Sequence, residues 1–428
     1  MKVLFAASEA YPLIKTGGLG DVIHGLPIAL KKKGVDVRLV LPAYRSLMSK
    51  VENPQHIGQF EVDGANRRYV VKVFESRFDN EDIPLLLIDV PELFDRDGGP
   101  YQHPDGYDWH DNAERFTVFS RAVAQLSLDV IHCGWSPDVV HCHDWQSALV
   151  SAFLSGEPQA PRTIFTIHNL AYAGLFNHET FVALGLPVEW WSPELIEFYG
   201  NMSLLKAGIL FADEVTTVSP QYAHEITTAE FGYGMDGVLR SVQHKLLGIL
   251  NGIDHKIWDP EHDALIAANY SVKSGYLKGK RANKRALFEA VGVKPTRENL
   301  ERPLLGFVGR LVEQKGVDLL LEIMPTLFER DDVMVVILGT GEAHFESQLA
   351  AMARQYPERL SVELGYSEGR AHLIEAAADI FLMPSRFEPC GLNQLYSLRY
   401  GTLPVVHFVG GLVDSIVDAT QENIDACS

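Results

Sequence analysis

Cysteine is scarce in this chain: Cys133, Cys142, Cys390 and Cys427 are the only four in 428 residues. That is too sparse for a disulfide framework. Long apolar runs are missing too. No stretch reaches the ~18 unbroken apolar residues that a membrane span requires. The opening apolar run stops at Ser8-Glu9, short of a signal peptide's hydrophobic region. Positive charge is in deficit, with 37 Lys and Arg against 56 Asp and Glu, a formal charge of −19. An acidic surface of that size repels nucleic acid and anionic membranes at long range, so neither is expected as a partner. A neutral ligand is not disfavoured, and a phosphorylated one needs a local cationic cluster. Glycine (35) and proline (22) occur at ordinary levels, which excludes collagen-like and low-complexity chains. The chain reads as soluble and cytoplasmic.

What is present suits packed domains: 46% hydrophobic and 10% aromatic residues, in a length that allows two or three domains. Short Val/Ile/Leu-rich runs at 3–7, 35–41, 85–90, 139–141, 163–167 and 215–218 read as strands. Amphipathic helical patterns at 20–33, 113–128, 146–153 and 202–211 separate them. Apolar strands alternating with helices imply a parallel sheet covered on both faces, hence an α/β fold. The pattern pauses near Asn251-Gly252 and in a polar stretch reaching Arg302. It resumes with strands at 304–308, 334–338, 360–364, 380–383 and 404–406. The reading is two α/β domains, 1–252 and 253–428. Ligands of open parallel sheets bind beyond the carboxyl ends of the strands, so a cleft between two such domains is the expected site.

The distinctive residues follow strands. Lys15-Thr16-Gly17-Gly18-Leu19-Gly20-Asp21 comes after the first strand and opens the first helix. Glycines there let backbone amides approach an anion at a helix N-terminus, and Lys15 adds a lone full positive charge. The spacing matches neither a dinucleotide fingerprint nor a Walker loop; a plain strand-to-helix turn is the alternative. After the first strand of the second half comes Gly309-Arg310-Leu311-Val312-Glu313-Gln314-Lys315-Gly316. Arg310 and Lys315 flank a turn and are placed to converge on one diphosphate, Arg as a fork and Lys as a point charge. A solvated loop is the alternative here.

In Ser385-Arg386-Phe387-Glu388-Pro389-Cys390-Gly391-Leu392, Glu388 can accept hydrogen bonds from sugar hydroxyls while the helix starting near Gly391 faces a phosphate. Glu388 also reads as a charge matched to the helix dipole. Cys390 reads as a small packed residue, with no His near it in sequence. His141-Cys142-His143-Asp144-Trp145 invites a zinc reading. Alternate side chains along a strand point to opposite faces, however, and no second ligand pair has zinc-site spacing. His143, Asp144 and Trp145 suit sugar binding better, and His168-Asn169 beyond the next strand is a further candidate for the cleft.

Assembled, these segments resemble the bacterial glycogen synthases and, beyond them, the plant starch synthases. Lys15-Thr16-Gly17-Gly18-Leu19 is the most specific signature. Residues 385–392, Tyr400-Gly401-Thr402-Leu403-Pro404, His168-Asn169-Leu170-Ala171-Tyr172 and Asp108-Trp109-His110-Asp111-Asn112 with Arg115-Phe116 match as well, in order to about residue 404. The resemblance implies two Rossmann-like domains facing across a cleft (the GT-B glycosyltransferase fold), with neither a bound metal nor a cofactor. It implies retaining transfer of glucose from ADP-glucose to the non-reducing end of an α-1,4-glucan in glycogen biosynthesis. Lys15, Gly17 and Gly18 are then expected to hold the donor, Arg310 and Lys315 the diphosphate, and Tyr366 the adenine by stacking. Glu388 is expected to bind the transferred glucose, with Cys390, Gly391 and Leu392 lining sugar and phosphate. His168 is expected beside the sugar, its backbone carbonyl facing an oxocarbenium-like state, with Asp144 and Asn169 binding substrate. Catalytic roles thus fall on Glu388, His168, Arg310 and Lys315.

Three features depart from the family pattern. Where related retaining enzymes carry a second Glu, eight positions after Glu388, stands Tyr396. The Arg and Thr normally preceding the last Gly-Gly-Leu are replaced within His407-Phe408-Val409-Gly410-Gly411-Leu412. The resemblance fades over 419–428, so the C-terminal part reads as truncated. A catalytically impaired glucan-binding or regulatory protein is therefore the competing expectation. A sugar-nucleotide isomerase or sucrose-type synthase fits the fold but not the 15–19 signature.

Overall fold

Residues 1–78, 82–271, 273–330 and 332–427 are described by the structure, a computed structural model. Ser428 and the side chain of Cys427, at the end of the segment where the resemblance fades, lie outside that description. The chain divides into two compact units, Met1–Leu250 and Asn251–Ser428.

In the first unit the strands are β1 (Lys2–Ala6), β2 (Asp36–Pro42), β3 (Gln55–Asp63), β4 (Arg68–Phe78), β5 (Ile83–Asp89), β6 (Val139–His143), β7 (Arg162–Ile167), β8 (Leu175–Phe176), β9 (Glu197–Phe198), β10 (Asn201–Ser203), β11 (Glu214–Thr217) and β12 (Leu246–Gly248). Nine of them form one sheet in the order β12-β11-β7-β6-β1-β2-β5-β4-β3, and β8-β10-β9 form a small second sheet. From β12 to β5 all neighbours are parallel. Such strands are buried on both faces, which is why β1 reads as an unbroken apolar run: Leu4, Phe5 and Ala6 are essentially inaccessible.

The expectation of a wholly parallel sheet needs correction at one edge. β3 and β4 form an antiparallel hairpin, and β4 also pairs antiparallel with β5. Along β4, Tyr69, Val71 and Val73 are buried while Arg68, Val70 and Lys72 are exposed. This period-two alternation marks a sheet with one wet face, and a search for continuous apolar runs passes over it. Helix limits moved as well. The first helix runs Gly18–Lys32, and the pattern at 146–153 is a turn followed by a helix, Leu149–Leu154. The pattern at 202–211 begins as β10. Ser203 then caps the helix Leu204–Phe211 by accepting from the Lys206 amide.

The second unit holds β13 (Leu304–Val308), β14 (Met334–Gly339), β15 (Leu360–Leu364), β16 (Ile380–Met383) and β17 (Leu403–Val406), parallel in the order β15-β14-β13-β16-β17. Successive side chains of β13 serve opposite faces: Leu304 packs with Leu287, Phe288, Ile374 and Phe381. Leu305 packs with Leu320, Met324 and Val335. The polar stretch up to Arg302 is not structureless, since it contains the helix Tyr276–Ala290. Its lysines disguise it, because two of them run inward. Lys280 Nζ donates to Thr402 Oγ1 (2.7 Å) and Lys284 Nζ to Asp379 Oδ2 (2.9 Å), while Leu287 and Phe288 enter the core.

Each sheet has one place where strand order reverses. In the first unit the chain proceeds outward from β1 to β2 and β5, then returns beside β1 as β6 and continues the other way. In the second it runs β13, β14, β15, then returns beside β13 as β16. These switch points open crevices at the strands' carboxyl ends. The loops after β1, β6, β13 and β16 contain most of the residues singled out above, while His168 and Asn169 follow β7 and Tyr366 follows β15.

Candidate active site

At the first switch point, the segment between β1 and the first helix is organised by Glu9. Its buried carboxylate accepts from the Thr16 amide (2.5 Å), Thr16 Oγ1 (2.5 Å), the Gly17 amide (3.3 Å) and the Tyr101 hydroxyl (2.5 Å). The sequence reading is corrected here, because the Thr16 and Gly17 amides are spent on Glu9 rather than left for an anion. The helix Gly18–Lys32 itself carries no side-chain cap, so its first turn retains the donors that attract an anion. Gly17 is in extended backbone, and a Cβ added there would meet nothing within 4 Å. Its missing side chain therefore keeps space clear rather than permitting a special backbone angle. Lys15 is not a lone cation either: its Nζ lies 2.8 Å from Asp21 Oδ1 and 5.5 Å from the Tyr11 ring centroid.

The segment 108–116 supports this loop from behind. Fully buried Arg115 donates to the carbonyls of Leu93 and Pro100 (2.8 Å each), and Asn112 Nδ2 donates to the Tyr101 carbonyl (2.9 Å). These bonds hold the backbone that delivers the Tyr101 hydroxyl to Glu9.

On the other side of the switch, His141 and His143 share one face of β6 with ring centroids 4.1 Å apart, and Cys142 points to the opposite face. His143 Nδ1 lies 3.0 Å from His168 Nε2, and His141 Nε2 is 2.7 Å from Thr166 Oγ1. Burial pushes His141 and His168 down to about 3 and His143 well below its usual range. All three rings are therefore neutral at neutral pH. His143 is wholly buried against Phe5 and bonds His168 through Nδ1. Asp144 sits at φ 56 and its Oδ1 accepts from the His168 amide (2.8 Å). Burial, opposed by that bond, pushes its carboxyl up to about 7. Trp145 packs against Phe116 and Phe176. Among the described residues no group of three or more His, Cys, Asp or Glu is arranged to hold a metal ion.

The loops at the second switch point are stitched together. The Arg386 amide donates to the Gln314 carbonyl (2.9 Å), Gln314 Nε2 to the Phe387 carbonyl (3.3 Å), and Asn393 Nδ2 to the Val308 carbonyl (2.7 Å). Gly316 is required, since its φ is 69 and an added Cβ would sit 2.2 Å from the Pro384 carbonyl oxygen. Lys315 Nζ lies 2.5 Å from Glu388 Oε2, and the same oxygen accepts from Ser385 Oγ (2.9 Å). Glu388 is thus a buried, oriented carboxylate and not a helix-start charge; the helix begins at Asn393, beyond Gly391 at φ 71.

Lys315, which the sequence reading turned with Arg310 toward one diphosphate, pairs with Glu388 through one of its three N–H donors. Arg310 stays exposed, its Nη2 3.1 Å from Gln314 Oε1. Cys390 is buried, which pushes its thiol up to about 12. Tyr366 is 64% exposed, and its hydroxyl donates to Glu368. Tyr396, in the position of the absent second Glu, is a core residue stacked 3.7 Å from Trp258. His407 bonds back to the Glu388 loop, its Nδ1 2.9 Å from the Ser385 carbonyl. Sequence reasoning missed Glu9, Asp21, Tyr101, Gln314 and Ser385 as site residues. The one available signal was Glu9, a charge ending an apolar strand.

Two Rossmann-like units with polar loops gathered at their switch points define a glycosyltransferase of the GT-B fold. The model of the starch synthase catalytic domain matches residues 2–241, and that of glycosyl transferases group 1 matches 293–424. A glycogen synthase of Hydrogenovibrio crunogenus is 52% identical over 427 residues, covering 99% of this chain and 87% of that protein. One from Cellvibrio japonicus is 51% identical over 423 residues, covering 98% and 86%. The solved catalytic domain of starch synthase IV from Arabidopsis thaliana, bound to ADP and acarbose, superposes with a TM-score of 0.85 at 33% identity. That match covers 98% of this chain and 85% of the Arabidopsis one. The chain belongs to the glycogen and starch synthase family and is a glucosyltransferase of glycogen biosynthesis. Among the described residues no helix is long and apolar enough to cross a membrane.

Proposed function

We propose that this protein transfers glucose from ADP-glucose to the non-reducing end of an α-1,4-glucan, with retention at the anomeric carbon, in the cytoplasm. The observation that carries the reading is the Lys315–Glu388 pair, a cation and a buried carboxylate held 2.5 Å apart at the switch point. Cleaving a sugar nucleotide separates charge, negative on the leaving diphosphate and positive near the anomeric carbon. A fixed Lys beside a fixed carboxylate meets both ends of that separation in advance, without solvent reorganisation.

In this scheme Lys315 and Arg310 neutralise the departing diphosphate, and Glu388 holds glucose hydroxyls with Cys390, Gly391 and Leu392 around them. Exposed Tyr366 stacks on the adenine. Lys15, Gly17 and Gly18 hold the donor from the uncapped helix of the first unit. His168, Asn169 and Asp144 flank the sugar. Neutral imidazoles support this assignment, since a cation at His168 would oppose an oxocarbenium-like centre. No second carboxylate stands eight residues beyond Glu388, so the scheme uses no glycosidase-like carboxylate pair. ADP and acarbose in the Arabidopsis relative support both ligand classes.

Incorporation of radiolabelled glucose into glycogen tests the reading. ADP-glucose is expected to serve as donor and UDP-glucose to serve at least tenfold less well. Binding of glycogen without incorporation overturns it.

A further inference from the structure

Two exposed tyrosines of the first unit occupy backbone that their side chains disfavour. Strands β9 and β10 pair antiparallel with Phe198 opposite Asn201, leaving Tyr199-Gly200 as a two-residue turn with φ 49 and 80. The Met235 amide donates to the Gly232 carbonyl (2.7 Å) around Tyr233-Gly234, with φ 48 and 79. Both are left-handed turns that normally select Asn-Gly or Gly-Gly. An aromatic at positive φ is an outlier, and such outliers gather at functional sites.

The twin turns touch: a Cβ on Gly234 would lie 3.2 Å from Tyr199 Cε2 and 3.4 Å from Phe198 Cζ. Both rings reach solvent: Tyr199 is 80% and Tyr233 47% exposed, with Tyr199 edge-on to Phe198 at 4.7 Å. Tyr172, half exposed, lies within electrostatic reach of Tyr233, its phenol adding to the effect of burial in pushing Tyr233 upward. Tyr172 belongs to the loop after β7 that begins with His168-Asn169. That loop continues into β8, which pairs with β10 opposite Met202 and Ser203. The small sheet therefore ties the His168 loop to the Tyr199 turn. It is held rigidly, because buried Lys206 donates to the Pro193 (2.5 Å) and Glu197 (2.6 Å) carbonyls and the Gly200 amide donates to Glu197 Oε1 (2.6 Å).

We propose that Tyr172, Tyr199 and Tyr233 form a stacking platform for an α-1,4-glucan chain, leading away from the His168-Asn169 loop. The proposal rests on the glucan-acceptor reading given above. Pyranose rings present C–H faces that pack on aromatic rings, and phenol hydroxyls hydrogen-bond with sugar hydroxyls. A glucan is uncharged, so the acidic surface does not repel it.

Tyr199→Asn and Tyr233→Asn, singly and together, test this, because Asn tolerates left-handed backbone and keeps the turns. The probes are retardation in gels containing glycogen and steady-state kinetics. The double variant is expected to lose at least tenfold in apparent glycogen affinity, with a matching rise in KM for glycogen. KM for ADP-glucose and kcat are expected to stay within twofold, with an unchanged melting temperature. Retardation of the double variant equal to that of the wild type overturns the platform while leaving the transferase reading intact. A parallel rise in both KM values also overturns it, by showing a structural role. A wild type neither retarded by glycogen nor able to extend it removes both readings together.

Discussion

Lys315 Nζ and Glu388 Oε2, 73 positions apart in sequence, form a 2.5 Å ion pair. They follow β13 and β16, which are neighbours in the sheet although two other strands intervene in the chain. Adjacent strands bring their following loops together, and the pair is the consequence.

The pair separates two roles. Glu388→Ala is expected to lower kcat more than 100-fold while ADP affinity stays within a few-fold or improves, since Lys315 is then free for the diphosphate. Lys315→Gln is expected to weaken ADP at least tenfold, ~1.4 kcal/mol, the scale of one charge-assisted contact. Steady-state kinetics with calorimetric titration of ADP checks both. Collapse of ADP affinity in Glu388→Ala would make the carboxylate a structural brace of its loop.

Glu9 holds the 15–17 segment by hydrogen bonds to two backbone amides and the Thr16 hydroxyl. Glu9→Ala removes the shared acceptor of those donors; Thr16 and Gly17 are exposed, so water takes its place and each lost bond costs about 0.5–1.5 kcal/mol. A lower urea midpoint and a KM for ADP-glucose raised about tenfold are expected. Thr16→Val, which removes the hydroxyl alone, should produce a smaller change in the same direction. An unaltered KM in Glu9→Ala would detach the loop from donor binding.

Buried histidines set an acid limit. His141 and His168 titrate near 3 in the folded protein, against 6.5 when unperturbed, because burial disfavours the charged rings. Below pH 6.5 the unfolded chain takes up protons that the folded one refuses. Stability therefore falls as pH drops from 6.5 toward 3, by up to ~1.4 kcal/mol per pH unit for each ring. Asp144, raised to about 7 from 3.8 by burial, acts oppositely and withdraws stability as pH rises between those values. Three buried histidines, His143 among them, outweigh one aspartate, so the first unit is expected to lose stability in mild acid. His141→Gln should flatten the melting temperature between pH 6.5 and 4; a profile as steep as the wild type's would contradict the assignment.

Tyr366 is exposed, and its hydroxyl donates to nearby Glu368. Tyr366→Ala is expected to weaken ADP by about tenfold, within the ~1–3 kcal/mol measured for base stacking on aromatics. The melting temperature should not move. Equal affinity in the variant, by fluorescence titration of ADP, would place the adenine elsewhere.

The sequence by itself determined the class of fold, the pause near residue 252 and the polar segments that follow the strands. Strands buried on both faces must be continuously apolar, and glycine, Arg and Lys at strand ends are local signals. The hairpin of β3 and β4 escaped because its half-wet alternation is a weaker pattern, and the helix Tyr276–Ala290 because inward lysines look like a polar surface. Only the tertiary structure decided which groups meet. Strand order placed β6 beside β1 and β16 beside β13. Strand adjacency gave Lys315 to Glu388 and put His143 behind His168, while the path of the segment between β1 and the first helix gave the Thr16 and Gly17 amides to Glu9 and Lys15 to Asp21. The cross-strand partners stand 25 and 73 residues apart, and no local pattern of propensity or spacing encodes a pairing that depends on which strands lie side by side.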